Sequence, residues 1–195
     1  MSQNVPDSGS DEALMLAFAE GSISAFDQLY QRHRKGLYAF VARQFAGQAI
    51  CVDDIFQDVW LAVARSRAQY RPQAKFRTWL FQIARNRAID LLRANHPASS
   101  ASNDGSFCDD PFEFLADTRH LTPEHALDSR QKAEAISRAL AALPTEQREA
   151  FLLREHSEMS LEEIAHLTGV SPETAKSRLR YAVNKLRAAL RGIWP

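Results

Sequence analysis

Cysteine is scarce in this chain: Cys51 and Cys108 are the only two among 195 residues. They lie far apart, and neither has a second Cys or a His at ligand spacing. No structural zinc site and no disulfide framework is implied, and the expected states are a half-buried thiol and a loop thiol. Long apolar runs are missing too. Nothing is long enough to span a bilayer, and the N-terminus MSQNVPDSGSDE has no signal-peptide core. The expectation is a cytoplasmic protein with no membrane insertion. Strand-like alternation is confined to short patches, which makes the chain all-α. No Gly-rich loop is present, and no His stands beside Asp53, Asp54 and Asp58 to complete a metal or phosphate site. Metal ligands, catalytic residues and cofactors are therefore all expected to be none.

Net charge is absent as well, formally zero at pH 7, but the neutrality hides segregation. Basic residues outnumber acidic ones up to Arg93, residues 96–132 are acidic, and between 172 and 191 six Lys or Arg face the single acid Glu173. Two basic patches separated by an acidic strap point to a polyanionic partner.

Helical spacing accounts for nearly all the ordered chain. Residues 11–20 and 24–45 carry Leu14, Phe18, Phe26, Leu29, Leu37, Phe40 and Val41 three or four apart, with Gly21-Ser22 as the break. A third helix spans 53–65, with Asp53 and Asp54 at its positive N-terminal end. A basic loop over 66–75 leads into a helix over 75–93. Residues 97–110, PASSASNDGSFCDD, have linker composition. Further helices are expected over 123–143, 145–156, 161–168 and 172–190.

The 75–93 helix, KFRTWLFQIARNRAIDLLR, has two unlike faces. Phe76, Leu80, Ile83, Ala84 and Leu91 make an inner stripe. Arg77, Phe81 and Arg85 fall on the other side, placing an aromatic ring between guanidinium groups on a face read as solvent-exposed. Unpaired bases stack on such a surface and their phosphates pair with it. Taken alone, the stretch is better accounted for by a packed amphipathic helix with a solvated basic side. Near the C-terminus, Ser160-Leu161-Glu162-Glu163 is a capping box, Thr168-Gly169-Val170 a sharp turn, and Ser171-Pro172 a helix start. This is a helix-turn-helix at DNA-binding spacing. Its second helix turns Ala175, Leu179, Ala182, Leu186 and Leu190 inward. Glu173, Ser177, Arg180 and Asn184 point outward, flanked by Thr174, Lys176, Tyr181 and Arg187.

With both motifs in view, the chain resembles an extracytoplasmic-function sigma factor of the sigma-70 family, a specificity subunit of bacterial RNA polymerase. The stretches carrying the resemblance are AFDQLYQRHRKGLYAFV, DDIFQDVWLAVAR, FRTWLFQIARNRAIDLLR and LPTEQREAFLLREHSEMSLEEIAHLTGVSPETAKSRLRYAVNKLR. It implies two small helical domains on a flexible acidic linker: a disordered tail 1–10, a four-helix core-binding and melting domain 11–95, a linker 96–122 and a helix-turn-helix domain 123–195. The resemblance gives the third helix to core polymerase, with Asp53, Asp54, Gln57, Asp58 and Trp60 as the docking residues. It gives the following loop and helix to the melted minus-ten element, with Tyr70, Arg71, Lys75, Arg77, Trp79, Phe81, Arg85 and Asn86 as candidates. Phe76 and Trp79 also suit the core, and Arg87, inside the inner stripe, suits a pairing with Asp90. The minus-thirty-five element falls to Glu173, Thr174, Lys176, Ser177, Arg178, Arg180 and Tyr181. Implied partners are the largest and second-largest polymerase subunits, promoter DNA both duplex and single-stranded, and an anti-sigma factor. A conventional helix-turn-helix regulator explains the C-terminal third but gives the third and fourth helices no task.

Overall fold

The structure, a computed structural model, describes residues 9–45, 51–94 and 123–191. The described residues form α1 (Asp11–Ala19), α2 (Ile23–Gln44), α3 (Val52–Ser66), α4 (Phe76–Ala94), α5 (Pro123–Ala141), α6 (Thr145–Ser157), α7 (Leu161–Thr168) and α8 (Pro172–Ala189), with no β-strand among them. The fold is all-α. The 66–75 segment, expected as plain loop, begins with a 3-10 turn at Arg67–Gln69. The acidic linker expected over 96–122 lies outside the described residues.

Local chemistry sets the helix ends. Ser10, assigned from sequence to a disordered tail, is the N-cap of α1, its hydroxyl accepting from the Ala13 amide at 3.2 Å. Gly21 takes φ +106°, a left-handed value that separates α1 from α2 at little steric cost. Cys51 is half-buried as expected, but it is disulfide-bonded and not a thiol; Cys108 lies outside the described residues. Two cysteines so far apart in sequence leave no spacing signature from which a bond could be read.

The chain divides into two compact units. The first holds α1, α2 up to Leu37, α3 and α4. Its core includes Met15, Leu29, Ile55, Val59, Val63, Phe76, Leu80 and Ala84, spaced three or four apart on their helices so that each helix contributes one apolar arc. The second holds the end of α2 from Tyr38 together with α5–α8. Leu140, Leu152, Leu153, Met159, Ile164, Ala165, Ala175 and Ala182 are buried there. Within this unit Arg43 Nη1 donates to His156 Nε2 at 2.8 Å. Burial, then the Arg43 charge, pushes the imidazole down to about 4, so it is neutral near pH 7 and free to accept.

Candidate polymerase and nucleic-acid interface

On α3 the alternation of acids and apolar residues resolves into two faces. Ile55, Phe56, Val59 and Val63 turn inward, while Asp54, Gln57, Asp58 and Leu61 are exposed and Asp53 is half-exposed. Trp60, expected as an interface anchor, is only 6% exposed. Its indole packs against the rings of Phe26 (5.7 Å), Tyr30 (5.1 Å) and Phe56 (6.4 Å), an aromatic cluster that returns more by burial than a solvent-facing indole would. The exposed apolar side chain is Leu61, 49% accessible, which the sequence reading missed. Its spacing from Asp54 and Asp58, seven and three residues, was the available signal.

The buried arc of α4 is wider than the inner stripe read from sequence and rotated from it. Phe76, Leu80, Phe81, Ala84 and Ala88 are buried, Ile83 only partly so, and the most exposed line is Gln82, Asn86 and Asp90. Phe81, expected on the solvent side between Arg77 and Arg85, is 1% exposed. The reason is angular: at 100° per residue, Phe81 stands 60° from Ala84 and 20° from Ala88, so the arc that buries those small residues takes in the ring. Arg85 and Trp79 border the arc, Arg77 falls within it at the first turn, and all three are partly exposed, whereas Asn86 is exposed. No ion pair joins Arg87 to Asp90 among the described residues, contrary to expectation; Asp90 lies on the exposed line while Arg87 sits within the arc.

The loop before α4 collects Tyr70, Phe76 and Trp79 into a ring cluster, with centroids 6.2 Å (Tyr70–Phe76), 5.1 Å (Tyr70–Trp79) and 5.9 Å (Phe76–Trp79) apart. Tyr70, expected to touch DNA, is buried, and its hydroxyl finds no partner among the described residues. Burial first, then the charges of Glu12 and Asp11, raise its ionisation well above the ordinary phenol range. Tyr70 thus forms the floor of the cluster and presents no open edge. Arg71 is exposed; its guanidinium donates to the Tyr70 carbonyl at 2.9 Å, which ties it back along the loop. Lys75 is exposed as well.

The helix-turn-helix forms as its local chemistry dictates. The Ser160 hydroxyl accepts from the Glu163 amide at 3.1 Å, and the Glu163 carboxylate accepts from the Ser160 amide at 2.8 Å. Gly169, at φ +69°, closes α7 in the left-handed conformation. The Ser171 hydroxyl accepts from the Thr174 amide at 3.2 Å, with Pro172 in the first turn. On α8, Ala175, Ala182 and Leu186 are buried. Glu173, Thr174, Lys176, Arg180 and Tyr181 are exposed, and Ser177 and Arg178 are half-exposed. The Arg180 guanidinium lies 5.3 Å over the Tyr181 ring, which holds both side chains on the outer face.

Two family models match in order along the chain: Sigma-70 region 2 over residues 29–97 and Sigma-70 region 4 over residues 133–186. The RNA polymerase sigma factor CarQ of Myxococcus xanthus is 33% identical over 177 residues, 90% of this chain and 95% of that protein. The ECF RNA polymerase sigma factor SigM of Mycobacterium tuberculosis is 31% identical over 183 residues, 93% of this chain and 85% of SigM. The chain belongs to the extracytoplasmic-function sigma factors. The solved structure of CnrH in complex with the cytosolic domain of CnrY superposes with a TM-score of 0.65 at 28% identity, covering 93% of this chain and 97% of CnrH. As a sigma factor the protein binds core RNA polymerase and promoter DNA and acts in transcription initiation. Region 2 takes in α3 and α4, and region 4 takes in α8 as far as Leu186, so the faces described above fall within the two matched regions.

Proposed function

We propose a division of labour among the faces of this sigma factor. Asp54, Gln57, Asp58 and Leu61 dock core polymerase, an apolar side chain ringed by polar ones as in other interfaces. The outer face of α8 reads the minus-thirty-five duplex: Lys176 and Arg180 reach bases or phosphates, and Thr174 and Ser177 position the backbone. Lys75, Arg77, Arg85 and Asn86, with Trp79 at the rim of the ring cluster, hold the opened minus-ten strand, where stacking and hydrogen bonds offset the few kcal/mol of base flipping. The protein works by binding and catalyses no bond chemistry itself, and it acts in the cytoplasm beside the polymerase. An anti-sigma factor controls it, a reading supported by the capture of CnrH in complex with the cytosolic domain of CnrY. The observation that carries this reading is the ordered pair of regions combined with a capped α8 whose exposed face is basic. Co-purification with core polymerase, followed by sequencing of DNA bound by the reconstituted holoenzyme, is the test. Recovery of one shared two-part promoter is expected. Duplex binding by the free chain with no association with polymerase would return it to the class of conventional regulators.

A further inference from the structure

Helix α1 lies ahead of the matched region 2, which begins at residue 29, yet it touches both ends of the loop assigned to promoter melting. At one end the Arg67 guanidinium, opening the 3-10 turn, lies 5.3 Å over the ring of Phe18. At the other end the Glu12 carboxylate accepts from the backbone N–H of Phe76, the first residue of α4, at 2.7 Å. The residues just before α4 are Ala74 and Lys75, neither able to cap it, and the first turn of α4 holds no acid. Glu12 therefore supplies from another helix both the acceptor and the negative charge that an α-helix start lacks.

The neighbouring acid fixes α1 in place. Asp11 accepts from His33 Nε2 at 2.7 Å and from Arg32 Nη1 at 3.0 Å, and Arg32 also donates to the Gly9 carbonyl at 2.8 Å. The His33 ring in turn lies 5.4 Å from that of Phe76. α1 is thus anchored on α2 by one carboxylate and caps α4 with the next.

We propose that Glu12 is a positioning residue for promoter opening: by capping α4 from α1 it holds the 67–75 loop and the start of α4 in the geometry that receives the unpaired minus-ten strand. The inference rests on the assignment of that loop and helix to melting. A carboxylate whose only task was to stabilise α1 would have no reason to face the Phe76 amide.

The experiment uses the full chain with core polymerase and compares wild type, Glu12→Ala and Glu12→Gln, each at a temperature where circular dichroism shows the variant folded. Closed-complex affinity for duplex promoter and permanganate reactivity of minus-ten thymines are measured side by side. Glu12→Ala should lower opening about tenfold, the scale of one lost helix cap, with duplex affinity unchanged. Glu12→Gln, whose amide oxygen still accepts from Phe76, should recover most of the opening. Wild-type opening by Glu12→Ala would overturn the proposal, as would equal loss in both variants or a parallel loss of duplex affinity. Failure of the wild-type chain itself to open promoters would instead overturn the assignment on which the proposal rests.

Discussion

Phe81 and Asn86 stand five residues apart on α4, one 1% exposed and the other facing solvent, and replacing each with alanine separates packing from recognition. Removing a fully buried phenyl ring costs about 3–5 kcal/mol, the transfer term plus the cavity left behind. In a unit of under about 100 residues each kcal/mol lowers the melting temperature by roughly 4–8 °C, so Phe81→Ala should unfold region 2 near or below ordinary assay temperatures. Core docking would then fail, and with it duplex binding and promoter opening by the holoenzyme together. Asn86→Ala removes only an exposed amide and should change stability by less than about 0.5 kcal/mol. If that amide reads a base, opening should weaken by about 1–3 kcal/mol while duplex binding holds. Urea unfolding of each variant, paired with permanganate footprinting of the reconstituted holoenzyme, measures both quantities. Unfolding of Phe81→Ala within about 1 kcal/mol of wild type, with opening lost selectively, would refute the packing role and make the ring a nucleic-acid contact.

Arg180→Ala should weaken minus-thirty-five duplex binding by about 1–3 kcal/mol and relax preference at one base pair, read by fluorescence anisotropy across sequence variants. Leu61→Asp should lower core-polymerase affinity by at least about tenfold in a pull-down titration without unfolding the protein, whereas Trp60→Ala should destabilise region 2 before it affects docking. The fold holds His156 below its ordinary 6.5, at about 4, so its contribution is complete above pH 6.5 and is lost as pH falls towards 4. Urea unfolding of wild type should therefore lose about 3 kcal/mol over that window relative to His156→Gln, which has no proton to gain.

How far the sequence could be read depended on how local the cause was. The Ser160–Glu163 capping box, the left-handed Gly169 and the Ser171-Pro172 start are settled within a few residues, and all three form as expected. Helix periodicity placed the α8 face correctly because Ala175 and Ala182 leave only one side able to pack closely. The same periodicity misplaced Phe81, because an arc lined by small residues such as Ala84 and Ala88 accepts a ring at its edge. Trp60 was read as an anchor because indoles are enriched in interfaces, but Phe26 and Tyr30, thirty or more residues away, decided its burial. The Glu12–Phe76 tie was not legible at all: a cap supplied from another helix leaves no pattern at the helix it caps.

The most direct measurement of the central claim is run-off transcription by core polymerase, with and without this chain, on a promoter recovered from holoenzyme-bound DNA. A promoter-specificity subunit should give a discrete transcript that requires the chain and is lost when the minus-ten element is scrambled. A transcript independent of the chain, or none despite tight duplex binding, would contradict that role.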